Sequence, residues 1–474
     1  MSLRRIALLG SALSLLSGAV LAQTPPTFTG ANGEAVAGDP IKLEEMKANL
    51  AAKADYSGPL ALVPDAFRLA ADAGDDALAV QRAVNAACTG TSRHMRLLGR
   101  HYSMRSPVMQ TCLLSWHGQG WQEQPVGTDL TGATLAGTWL DFTAGAFGPS
   151  GTSNPVTLSG VYAAGSVIQG IGVSQPVTMP ATGASSWTPA DTPFLFWADN
   201  ANGGVEFRDI LCRGVNKCLG AHISGRTSFR NIRGQAWRVL VFVDKSYDAS
   251  RVDEIHAWPY YSTDNRIMAF QQASAAAVLS LRSDTPLFGR IFAFGTNGGL
   301  VLDASAAEGS LGGGTTTGAT VDSLSCDFVR HCLLGTVAAT GVQVQIGQLR
   351  TFGQAWGTTD TQVANRAGML AGSDVIAMLG GGAVIQVGNL ENYGTDDTTV
   401  RLTNASPANV QIGSAYIIGT RLSANATLTA MTGGTHTVTI GMPPVITADT
   451  PSGWLLGNSG SAGSLFWPTS TKRN

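Results

Sequence analysis

Val205–Cys212 reads VEFRDILC, Thr227–Gly234 reads TSFRNIRG and Arg251–Trp258 reads RVDEIHAW. Each is an apolar residue, two mostly polar ones, a second apolar residue and then a polar–apolar step. Five later segments keep the phrase: Phe288–Ala293, Val321–Cys326, Ile346–Thr351, Val387–Asn392 and Ile412–Ile417. The central apolar residues are Ile210, Ile232, Ile255, Ile291, Leu324, Leu349, Leu390 and Ala415. They are spaced by 22 and 23 residues at first, by 25 in two later gaps, and by 33 to 41 where loops are inserted. Such a period marks a chain that coils back to the same place each turn, so repetition decides the architecture before any single motif is weighed.

A repeat array can fill all 474 residues as one unit. Thirty basic against 32 acidic residues leave a net charge of −2, without the concentrated basic surface that nucleic acid requires. The first 22 residues read as a secretory signal: Arg4 and Arg5, the apolar run Ile6–Leu21, and Val20-Leu21-Ala22 before Gln23. No later segment is apolar enough to span a bilayer. A secreted or periplasmic protein is expected. Residues 23–60 form an extended lead-in, 61–445 the repeat domain and 446–474 a C-terminal tail or cap. The six cysteines fall in pairs, Cys88 with Cys112, Cys212 with Cys218 and Cys326 with Cys332. The last two share C-x5-C spacing at the same position of the phrase. That is a poor spacing for zinc ligands, and no histidine repeats beside both pairs, so disulfides are expected. Each short loop would contribute roughly 2 kcal/mol in the chain-entropy model.

Upstream of the repeats, Asp72–Ala87 reads DAGDDALAVQRAVNAA, with Asp75 as N-cap and Val80, Ala83, Val84 and Ala87 on one helical face. Arg96–Val108 (RLLGRHYSMRSPV) and Cys112–Gly120 (CLLSWHGQG) follow. This order resembles the opening of the pectate-lyase-like, polygalacturonase-related proteins. Asp75, Asp76, Ala79, Val80, Gln81 and Ala83 match their first helix. Leu98, Gly99 and Tyr102 stand near the next element, whose proline is missing, and Gly118 and Gly120 match the third. The close resemblance covers about residues 65–120. It implies an all-β fold, a single-stranded right-handed parallel β-helix with a short N-terminal capping helix over its open end. A β-sandwich array would instead need hairpin turns, and the two Asn-Gly pairs, at Asn32 and Asn202, lie outside tight strand pairs.

The stacked phrases also rank the coils by what they show to solvent. The two residues before the central apolar one form a corner, and strand alternation turns the next one outward. Titratable groups concentrate at Arg230, Arg233, Asp253, Glu254, His256 and Arg290, with Trp258, Tyr260 and Tyr261 just beyond. Rings that stack on pyranose faces beside charged forks are what a sugar groove needs. Hydrolysis would use two carboxyls among Asp253, Glu254, Asp244 and Asp248. Elimination from a uronide would use His256 or an arginine as base, with Arg233 or Arg290 neutralising the carboxylate. The catalytic candidates are therefore Asp253, Glu254 and His256. The substrate-binding candidates are Arg230, Arg233, Arg290, Trp258, Tyr260 and Tyr261.

The same residue types also serve turns and solvated ion pairs. The polygalacturonase G-H-G and R-x-K motifs do not occur, and Asp396-Asp397 has no partner motif. His117 reads as a packed turn residue. No cofactor or metal site is indicated, and calcium is not called for by a motif. The expected function is an exported protein that binds and cleaves a polysaccharide, as a glycoside hydrolase or polysaccharide lyase. The alternative is a non-catalytic adhesin or tailspike-like glycan-binding β-helix. The partner is a glycan, and the chain a monomer or homotrimer.

Overall fold

The computed structural model describes residues 61–123, 135–143, 147, 153–305, 314–352, 373–393, 398–417, 427–446, 455–458 and 463–466. The expected signal sequence and lead-in, Asp396-Asp397 and most of the tail lie outside them. From Pro59 onward the chain is one unit. It is a right-handed parallel β-helix in which every strand ladder is parallel. A ladder that begins with Val108–Gln110 shows the winding. It passes to Val156–Ser159, Phe194–Asp199 and the ends of Glu206–His222 and Ser228–Asp244, then onward to Thr427–Thr432. Leu455–Asn458 and Ser464–Phe466 add strands to the last full coil. Among the described residues no helix is long and apolar enough to cross a membrane.

The phrase sets the register. Ile210, Ile232, Ile255, Ile291, Leu324, Leu349, Leu390 and Ala415 pair in that order, coil on coil. All are 5% exposed or less. The apolar residue that opens each phrase forms a second inward column, and Phe207 stacks on Phe229 with ring centroids 5.3 Å apart. Parallel ladders between coils, with apolar columns inside, make burial the main stabilising term.

Helix α1 (Asp76–Thr89) closes the N-terminal end, burying Ala77, Val80, Ala83, Val84 and Ala87. The Asp-Asp-x4-Gln pattern now has physical roles. Asp75 caps α1 at Ala77 N–H (3.1 Å) and also accepts from Arg105 N–H (3.0 Å). Asp76 accepts from Ser103 N–H (2.7 Å) and from Arg100. The Gln81 amide accepts from Met109 N–H and donates to its carbonyl, as a neighbouring strand would. These side chains satisfy the first coil's open edge. Cys88–Cys112 fastens α1 to that coil. Cys212–Cys218 and Cys326–Cys332 each close a turn, and no cysteine is free among the described residues.

A second helix, α2 (Asn265–Ser274), is inserted after the Ile255 coil, and the phrase gave no sign of it. Asp264 caps it, and Ile267, Met268, Gln271 and Gln272 are buried against the coil wall.

Candidate active-site groove

The corner of the early coils decides which side chains face which way. Asp209, Asn231 and Glu254 occupy equivalent second corner positions with φ of 55°, 49° and 56°. Aspartate and asparagine enter this left-handed region readily, because their short side chains bond locally. Glutamate does not, so Glu254 sits in a strained backbone, the condition often found at functional sites. The bend turns the two corner residues to opposite flanks. Asp253 lines one concavity with Arg230 and Arg251, whereas Glu254 lines another with Arg233, His256 and Arg290.

The structure therefore does not bring Asp253 and Glu254 together. Asp253 Oδ1 accepts from the backbone N–H of Glu254 (2.8 Å) and of Arg290 (3.1 Å), which spends it on the corner itself. It also overhangs Gly289, where an added Cβ would lie 2.0 Å from Oδ1. Arg230 shares the Asp253 flank. Asp248 holds Arg226 on that flank too, and Asp244 is buried beside His222 on a different ladder. His117 ends a strand and bonds to His94 and Gln169.

The Glu254 flank is a groove of about 630 Å³ over four coils, from Ile232 to Leu324. His256 lies at its centre, half-buried, stacked on Phe292 with centroids 4.9 Å apart and an interplanar angle of 18°. Its Nδ1 is 2.6 Å from Tyr260 Oη, and its Nε2 has no hydrogen-bond partner among the described residues. Burial, assisted by the Arg233 charge, pushes the His256 pKa below its ordinary value, so the imidazole is neutral at pH 7. Burial and the nearby Glu123 carboxylate push the Tyr260 phenol upward, so it keeps its proton. Arg290 is paired with Glu254, and Arg233 with Glu123.

Trp258 supports the site from behind, packed on Phe294 (4.5 Å) and beside His256. Tyr261, expected to bind substrate, belongs elsewhere. It packs edge-on to Trp237 and under the Arg213 guanidinium, next to α2.

Glu123 escaped the sequence reading. It lies 110 residues before Arg233, outside the repeats, and arrives because the Trp121 segment folds over the outer face of a later coil. The Trp121 indole N–H donates to the Asp209 carbonyl (2.8 Å), and Arg233 lies over its ring. Leu211 and Trp139 join this apolar cluster beneath Tyr260, so Leu211, outward by register, is only 1% exposed. The one local signal was WHGQGW followed by an acid, too slight to place the residue. Among the described residues no three His, Cys, Asp or Glu side chains converge as a metal site.

No protein-family model matches the chain, and none of the curated proteins does. Solved structures do. DFA-IIIase from Arthrobacter chlorophenolicus A6, in complex with GF2, aligns over 86% of this chain and 94% of its own at 11% identity, with a TM-score of 0.52. The catalytic domain of a GH87 alpha-1,3-glucanase with nigerose aligns over 85% and 70% at 11% identity, TM-score 0.38. A surface adhesin of Streptococcus pneumoniae aligns over 85% and 93% at 10% identity, TM-score 0.34. At these identities the likeness is one of fold.

Proposed function

We propose that this protein is an exported, pectate-lyase-like β-helix enzyme that cleaves an acidic polysaccharide by β-elimination in the His256 groove. The observation that carries this reading is a neutral, half-buried imidazole hydrogen-bonded to a protonated phenol and flanked by two arginines. The likeness to DFA-IIIase, solved in complex with GF2, supports an enzymatic role for such a fold.

The chemistry balances on these residues. The uronate carboxylate displaces Glu123 and Glu254 from Arg233 and Arg290, whose charges then neutralise it and acidify the hydrogen on the adjacent carbon. With His256 Nδ1–H donating to Tyr260 Oη, Nε2 is free to take that proton. The electron pair forms a carbon–carbon double bond as the glycosidic C–O bond at the β position breaks. Tyr260 gives its O–H proton to the departing oxygen. The Nδ1 proton then passes along the 2.6 Å bond to Tyr260, leaving a neutral imidazole protonated on Nε2, which solvent resets.

A second reading, hydrolysis by the two glutamates, rests on Glu123 and Glu254 lining one groove. Incubation with polygalacturonate, alginate and chondroitin sulfate, reading unsaturated-uronide absorbance and reducing ends, tests both. Elimination should give both signals, and His256→Ala should lower the rate about a thousandfold. Tyr260→Phe should slow it by a smaller factor. The rate depends on neutral His256, whose pKa is lowered. Its acid limb should therefore lie below the ordinary imidazole value of about 6.5. Reducing ends without absorbance, lost in Glu254→Gln, would replace elimination with hydrolysis. Binding without either product would leave a non-catalytic glycan-binding protein.

A further inference from the structure

We propose that the opposite flank of the same corner is a second binding site, one that takes the acidic groups of a glycan through Arg230 and Arg251. The inference rests on the glycan reading but not on cleavage. The concavity there is about 800 Å³, bounded by the successive turns that carry Arg226 and Asp248 and by the outward faces of three coils. Ser228 pairs with Arg251 in register, and Arg230 with Asp253, so hydroxyl and guanidiniums form one grid with coils about 4.8 Å apart.

In formal charge the lining balances, three arginines against Glu206, Asp248 and Asp253. In availability it does not. Asp248 is held by Arg226 and by Ala249 N–H. Glu206 faces Arg208 (3.4 Å), and Asp253 serves the corner amides. The Arg230 and Arg251 side chains are exposed and make no hydrogen bond or ion pair among the described residues, whereas those of their neighbours Arg208, Arg226, Arg233 and Arg290 each face a carboxylate. A guanidinium cannot discharge itself by losing a proton, and its fork fits a planar carboxylate or a sulfate ester. Two unpaired forks at the rim of a concavity, with a hydroxyl between, define an anion site. A chain of alternating charge and hydroxyl can occupy it while another segment lies in the His256 groove or while that groove is empty.

The test measures binding of the full chain, in the His256→Ala background, to polygalacturonate, dextran sulfate and neutral dextran at two salt concentrations. Arg230→Gln with Arg251→Gln should weaken binding to an anionic polymer about tenfold or more and flatten its salt dependence, leaving dextran unchanged. The polymer more strongly affected distinguishes a carboxylate from a sulfate ligand. Asp248→Asn removes a competing charge and frees Arg226, so it should tighten anionic binding about threefold, a gain that misfolding cannot mimic. Unchanged affinity and salt dependence in the double variant, or no gain in Asp248→Asn, would overturn the site. If the wild type cleaves nothing yet the arginine effects appear, the site stands and the cleavage reading falls. Cleavage lost only in His256→Ala, with the arginine pair inert, gives the reverse.

Discussion

The early coils and the late coils solve the same bend in two ways. Around Ile210, Ile232 and Ile255 the second corner residue takes a left-handed backbone and both corner positions keep side chains: Arg208-Asp209, Arg230-Asn231 and Asp253-Glu254. Around Leu349, Leu390 and Ala415 the first corner residue is Gly347, Gly388 or Gly413, without positive φ. There the coils press together, and an added Cβ would lie 2.8, 2.7 and 2.6 Å from a carbonyl oxygen of the preceding coil. The left-handed corner thus arms both flanks of the helix, and the glycine corner gives up one side chain for closer stacking. Gly289 marks the changeover, beneath the Asp253 carboxylate. The proposed anion site lies on the armed coils, and the candidate groove begins on them and extends over the Ile291 and Leu324 coils.

Breaking the glycine corner should have the larger effect on stability. Gly413→Val drives a branched side chain into the Gly388 carbonyl and should cost about 2–3 kcal/mol, read as a lower denaturation midpoint with an unchanged slope. A loss no greater than that of a surface substitution would mean that the coils are not pressed together there.

Between the two regions lies Asp327, paired in register with Phe352. Burial pushes its carboxyl up to about 6 against a weaker opposing pull from Arg350. Its folded value is raised, so the stability it contributes is full below about 3.8 and lost as pH rises through about 6. Asp327→Asn should therefore stabilise by about 1–2 kcal/mol at pH 8, after allowance for partial exposure, and bring no gain at pH 3. Melting curves at the two pH values check the sign.

The smallest effect sharpens the armed corner. Glu254→Gly relieves a left-handed non-glycine residue and should raise stability by up to about 1 kcal/mol while weakening glycan binding or turnover. A variant that is destabilised instead would show that Glu254 is held there by its Arg290 contact more than it is strained by its backbone.

The repeat was legible because its cause is periodic: one inward residue per coil must meet the one below, and Ile210 to Ala415 do so in unbroken register. The capping helix was legible because Asp75, Asp76 and Gln81 must answer an open strand edge at fixed offsets. Helix α2 was not, since an insertion between coils leaves the phrase intact.

The candidate site divides along the same line. Its own strand supplied Glu254, His256 and the nearby Tyr260, so the patch could be found by stacking phrases. The sign of the bend at Asn231 and Glu254 could not be read from TSFRNIRG or RVDEIHAW, and those two corners part Arg230 and Asp253 on one flank from Arg233 and Glu254 on the other. Tyr261 leaves the site because α2 and Trp237 claim its ring.

By itself, then, the sequence determined the coil, its register and its three disulfides through spacing along the chain, and its cap through the resemblance carried by Asp75, Asp76 and Gln81. Only the tertiary structure decided which titratable groups share a groove. That choice depends on backbone torsions at the Asn231 and Glu254 corners and on a segment folded back across 110 residues to set Glu123 beside Arg233. Neither leaves a period in the sequence.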